Sequence, residues 1–255
     1  MADVRNATPD EKTAKQLLSE FLLLAEQVHQ AQQVGAVQLG LFTATSNRLL
    51  QAVKVGYGVA DEKALAFLKQ NVQFFSAAKT MHQARELSGL LLDEAGQRKP
   101  WREFRKEALQ LHDQYNVRWL SAEYEHAVAS SQMASRWQDY DADTVLQYET
   151  VGDSRVRPEH LAWDNVKLPA SHPWWQTHYP PNGWLCRCTV IAASPTDRPT
   201  PASILPALPE PDPLFNSNVG QTGTIFPTEH PYFSTLDAGE QDKVIRFTKD
   251  LPDGQ

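Results

Sequence analysis

The chain has 255 residues, of which 41% are hydrophobic, and a formal net charge of −7 at pH 7. That length suits one large domain or two small ones, and the apolar share lies far from the disordered range. The acidic balance excludes a protein that simply coats nucleic acid, because phosphate binding needs a dense Lys/Arg surface. The first residues, Met1-Ala2-Asp3-Val4-Arg5, hold no apolar run of the signal-peptide kind. No stretch approaches the roughly 18 apolar residues of a membrane span. The expectation is a chain that is soluble and intracellular when made, with no membrane partner.

Residues 1 to about 140 read as helices. Thr8-Pro9-Asp10-Glu11 is a start signal, with Thr8 as cap, Pro9 at the first helical position and Glu11 completing a capping box. Leu17, Phe21, Leu24, Ala25 and Val28 then recur at helical spacing, to an expected end near Gln33, before Gly35. A second helix is expected over Thr43 to Val55. A third starts near Asp61, with Leu65, Leu68, Val72 and Phe75 on one face, widened by Phe67 and Phe74. It continues, with room for a break, through Ala84, Leu87 and Leu91. Asp93 to Gly96 reads as a turn. Pro100 opens a further helix, and another runs from Val117 to about Trp137. Arg102, Arg105 and Lys106 are interleaved with Glu103 and Glu107, the pattern of a solvated face. His82, His112 and His126 stand singly in helical segments and read as surface or packing residues.

Val145 to Thr150 is short, apolar-rich and partly alternating, which predicts a strand; Thr189-Val190-Ile191 predicts a second. Between them lies Asp153 to Cys188, which shows neither helical nor strand periodicity. It holds both cysteines, three of the eight histidines and four of the seven tryptophans. An irregular stretch that long in a compact domain is functional or disordered, and disordered segments are poor in aromatics. Pairing the two strands would fix both ends of the loop, and Trp174, Trp175 and Trp184 would cover it. From Ser194 to Pro213 seven prolines make a stiff connector. Thr224 to Pro227 and His230 to Phe233 then offer apolar residues to pack back, and Ala238 begins a short helix. The fold class is α+β. A mostly helical region, 1–140, precedes a small α+β module, 141–194, with a long irregular loop that a zinc ion would staple. A proline-rich connector and C-terminal segment, 195–255, packs back.

Cys186 and Cys188 flank a single residue, a spacing that suits chelation of one ion better than a strained disulfide. Arg187 would point away from the thiols while lowering their pKa values. His160 and His178 are the favoured third and fourth ligands of zinc. His172 precedes a proline and is the less adaptable candidate. Spacing alone leaves a metal staple and buried free thiols equally open. Asp153, Arg155 and Arg157 suit either an anion site or bonds that brace the loop. Pro180-Pro181-Asn182-Gly183 reads as a turn in which Asn-Gly tolerates positive φ. Glu159, beside His160, would be the base if the metal activated water. That reading is a metal-dependent hydrolase or nuclease of toxin-like type. Yet no H-E-x-x-H motif, nucleophile elbow or phosphate-cradling glycine loop is present.

The motif Asp153-x-Arg155-x-Arg157-x-x-His160, followed about 26 residues later by Pro180-Pro181-x4-Cys186-Arg187-Cys188, resembles the phage Mu protein F-like family of minor head, or head morphogenesis, proteins. Tyr115 to Leu120 and Ala122-Glu123-Tyr124 add to the likeness, which covers roughly residues 60 to 235. The resemblance implies a head protein of a tailed double-stranded DNA phage or prophage, not an enzyme. It would act in procapsid assembly and DNA packaging or ejection through portal, scaffold or capsid protein. Contact with DNA stays open, and no small-molecule substrate is expected. Its place would be the host cytoplasm during assembly and then the virion head. The resemblance also implies cysteine-rich relatives, with Cys where Arg157 stands and a histidine where Gly183 stands; His160, Cys186 and Cys188 match their other ligand positions.

Overall fold

The computed structural model describes residues 8–30, 36–58, 62–194, 196–249 and 251. It is an α+β protein, in which long helices accompany one three-stranded antiparallel sheet. Two compact units are built from non-contiguous pieces. One comprises Met1–Ala52, Lys69–Glu125 and Thr228–Gln255, the other Val53–Leu68 and His126–Pro227. Among the described residues, no helix is long and apolar enough to cross a membrane.

In the first unit α1 spans Glu11–His29 and buries Leu17, Phe21, Leu24, Ala25 and Val28, the stripe predicted from spacing. Its cap is Asp10, not Thr8: the Asp10 carboxylate accepts the Thr13 N–H at 2.8 Å. The helix ends at His29, short of Gln33, which with Gly35 lies outside the described residues. α2, Leu39–Tyr57, begins four residues before the predicted start. Gln38 explains this, because its side-chain oxygen accepts the Leu41 N–H and stands in for a cap. α3 runs unbroken over Glu62–Gly89; Asp61, its expected start, is also outside the described residues. Leu68, Val72 and Phe75 are buried on it as predicted, whereas Phe67 is 53% exposed.

The predicted break between the next two helices is absent. α4, Trp101–His112, passes through a π-helical segment, Asp113–Trp119, into α5, Leu120–Trp137. No glycine or proline occurs between Trp101 and Trp137 to end the helix. The wider π turn shifts the phase of the apolar stripe, so the two halves look like separate helices in sequence. Phe104, Ala108 and His112 of α4 face α1, with His112 5.2 Å from the Phe21 ring. Inside this unit Lys79 and Glu123 form a fully buried ion pair at 2.5 Å, and the Tyr232 hydroxyl donates to Glu123 at 2.9 Å. Burial pushes the Lys79 pKa down. Tyr232 belongs to α9, Pro231–Ser234, and α10 follows at Ala238–Lys249.

The second unit holds the sheet, in the order β2-β1-β3. β1 is Val145–Glu149, β2 is Lys167–Pro169 and β3 is Thr189–Ala192. The two predicted strands do pair, with Tyr148 opposite Val190 and Glu149 opposite Thr189. Leu146 and Tyr148 point into the core, where both are buried, as strand alternation requires. The 153–188 stretch is more regular than its lack of periodicity suggested. It contains α6, Pro158–Trp163, the strand β2, and α7, Trp175–His178. Each is too short to show a period. Pro158 sits at the first position of α6, where its missing N–H costs nothing. Trp163 and Trp175 are fully buried; their indole N–H groups donate to the carbonyls of Pro209 and Leu168.

Candidate metal centre

Three elements of the second unit converge. α6 carries His160, whose ring stacks on Trp163 with centroids 5.0 Å apart. The segment entering β3 carries Cys186 and Cys188. Because the β1–β3 ladder closes at Glu149 and Thr189, Cys188 lies one residue beyond its end. The His160 Nδ1 is 3.6 Å from the Cys186 sulfur and 3.4 Å from the Cys188 sulfur. His160 is buried and both thiols are half-buried. All three donor atoms lie within 4.8 Å of one another.

These separations suit a metal. Thiolate and imidazole donors on one tetrahedral zinc, at about 2.3 and 2.0 Å from it, lie about 3.6 Å apart. The donor set is also chemically right for zinc. The same distances serve thiol–imidazole hydrogen bonds, so the cluster is satisfied in either state. His178 is not in this group. Its Nδ1 lies 2.8 Å from the Thr177 hydroxyl and 3.2 Å from the Trp174 carbonyl, and its Nε2 lies 3.4 Å from the Pro209 carbonyl. His172 Nδ1 accepts the Trp174 N–H at 3.1 Å.

The thiols behave as a pair. The hydrogen bond from Cys188 pulls the Cys186 pKa well down, and His160 adds to this. Cys188 is pushed up by that same bond and by burial, against opposing contributions from the Tyr148 hydroxyl and the Arg157 charge.

Arg187 lines the same cavity as the two cysteines, and it is not a free cation. Its guanidinium makes a two-pronged bond to Asp153, with both N···O distances 2.7 Å. Asp153 also accepts the Arg155 N–H at 3.0 Å. The Arg187 bonds hold the Asp153 carboxyl well below the usual carboxylate range. Arg157 donates to the Trp184 carbonyl at 2.7 Å and lies against Gly183. A Cβ on Gly183 would meet that guanidinium at 3.0 to 3.2 Å. Gly183 thus supplies space, while the left-handed conformation predicted near Asn-Gly falls on Leu185, at φ 59°. The turn itself is displaced to 183–186, closed by Cys186 N–H to the Gly183 carbonyl at 3.2 Å. Pro180 and Pro181 are buried and joined by a cis peptide. Asn182, also buried, accepts from the Tyr148 hydroxyl and donates to the Phe215 carbonyl. Tyr148 and Leu185 were not singled out from sequence, and Asn182 was read only as part of the 180–183 turn. Tyr148 is legible only through the β1–β3 register, Leu185 through no local signal, and the bonds of Asn182 only through the tertiary contacts.

Residues 44–191, more than half the chain, match the model of the family described as phage Mu protein F like protein. The chain belongs to that family. Over 68 residues, 27% of its length, it is 43% identical to "Putative capsid assembly protein F" of Escherichia phage Mu. Over a stretch of the same length it is 41% identical to "Mu-like prophage FluMu F protein" of Haemophilus influenzae (strain ATCC 51907 / DSM 11121 / KW20 / Rd). The matched stretch spans 16% of each of these Mu F relatives. No solved structure matches the chain.

Proposed function

We propose that this Mu F-like chain is a minor head protein of a tailed phage or prophage. It would act in procapsid assembly and in DNA packaging or ejection by binding portal, scaffold or capsid protein. The observation that carries the reading is the family match over residues 44–191. The similarity to a putative capsid assembly protein of phage Mu supports it. In this reading zinc, held by His160, Cys186 and Cys188, staples α6 to the entry of β3. Arg157, Arg187 and Asp153 brace the turn between them. The zinc supplies cross-linking rather than turnover. A structural zinc contributes folding free energy directly, so its removal loosens the module.

The test pairs two measurements. A tagged copy expressed during phage growth is expected to co-purify with heads, and disrupting the gene is expected to abolish filled heads. Filled, infectious heads in its absence would refute the assembly role. The purified chain is expected to hold one zinc, lost together with several degrees of melting temperature in Cys186→Ser/Cys188→Ser.

The runner-up is a metal-dependent hydrolase or nuclease, favoured by a three-donor group that lines an open cavity. Glu159, its candidate base, does not line that cavity. Turnover of DNA, RNA or peptide abolished by Glu159→Gln would establish it.

A further inference from the structure

His160, Cys186 and Cys188 make only three donors, and among the described residues no fourth metal-binding side chain joins them. All three line one half-open cavity, with Arg155, Arg157, Arg187, Leu185 and Val151 beside them. Two thiolates cancel the charge of a divalent metal, and the imidazole is neutral. Arg157 then leaves a positive charge on the cavity wall, since no carboxylate pairs with it among the described residues. Asp153, the nearby acid, is taken by Arg187 and Arg155.

The apolar side of the cavity is unusual too. Leu185 is 55% exposed and Val151 is 44% exposed. Leu185 also holds a left-handed backbone, a conformation that L side chains adopt at a cost and that recurs at functional sites. A bulky side chain more than half exposed there adds little to core packing. Arginine beside exposed aliphatic groups matches a peptide that offers a carboxylate next to an apolar residue. A phosphodiester backbone offers no apolar partner, and the net charge of −7 repels it.

We propose that the metal at His160, Cys186 and Cys188 takes its fourth ligand from outside the chain, a carboxylate of a partner protein, with Arg157 as the cation that selects it. The site then joins this chain to its partner through the ion. This rests on the metal reading above.

The test uses the full chain loaded with cobalt(II), whose ligand-field bands report the coordination shell. Acetate is the carboxylate probe and inorganic phosphate the competitor. Acetate is expected to shift the bands saturably, with phosphate binding more weakly. Arg157→Gln is expected to weaken acetate about tenfold, the loss of one charge-assisted bond, while Arg157→Lys restores much of it. Bands indifferent to acetate, or equal acetate affinity in Arg157→Gln, overturn the proposal while leaving the metal site standing. Tighter binding of phosphate overturns the carboxylate assignment in favour of a nucleic-acid backbone. Failure of the parent chain to take up cobalt removes the metal reading itself and this inference with it. Should Arg157→Gln not load, the acetate-over-phosphate preference of the parent decides.

Discussion

His126 is buried in the second unit among the rings of Trp184, Phe215 and Phe226, at centroid distances of 5.1, 5.4 and 5.7 Å. Burial lowers its pKa from 6.5 to about 4, against smaller raising contributions led by the Ile225 carbonyl. Its neutral form is therefore favoured in the folded state. A histidine with a depressed folded pKa contributes stability that is complete above its unfolded pKa. That stability is lost as pH falls from 6.5 through the folded value of about 4. The full loss amounts to about 3 kcal/mol. His82, His112 and His178 are lowered in the same direction, again by burial first. Urea unfolding of the parent is expected to weaken across that window, and His126→Gln to flatten the dependence. An unchanged slope in the variant would show that His126 is not the group responsible.

Gly56 shows what the packing of two helices asks of one position. It lies near the end of α2, where a Cβ would stand 2.3 Å from the Val128 carbonyl oxygen and 2.7 Å from the Ser131 Cβ, both on α5. The first of those atoms is helix backbone and cannot swing aside. Gly56→Ala is expected to destabilise the protein by about 1–3 kcal/mol, the cost of overpacking. Gly89→Ala is the control, because a Cβ at the end of α3 meets nothing within 4 Å. Thermal unfolding should separate the two, and equal melting temperatures would refute the close approach. The element scale is also where sequence periodicity was least complete. The stripes of α1 and α3 were legible because each repeats over several turns. α6, β2 and α7 span 6, 3 and 4 residues, too few to repeat anything. The π segment kept every residue helical while shifting the stripe, so composition spoke for continuity and periodicity against it.

The C-terminal segment returns to the first unit across a long separation in sequence. Tyr232, Leu236 and Val244 are buried there, and the Tyr232 hydroxyl reaches the Glu123 carboxylate of the buried Lys79 pair. A chain ending at Pro227 would lose the burial of those three side chains, worth about 5 kcal/mol together. It would also leave a buried carboxylate short of one donor. Calorimetry of that truncation is expected to show a markedly lower melting temperature. A chain that melts like the parent would mean that the segment is an appendage.

By itself the sequence determined the helical stripes, the two strands that bracket the loop, and a candidate donor set in which His160, Cys186 and Cys188 stood beside His178. Each of these is written in local spacing or in a short motif. Only the tertiary structure decided that His178 is bonded elsewhere, that Asp153 takes Arg187, that Gly183 makes room for Arg157, and that Leu185 bears the left-handed turn. Those outcomes depend on which atoms the β1–β3 register and the Trp163–Trp175 core bring together. Contacts of that kind join residues tens of positions apart, where no periodicity reaches.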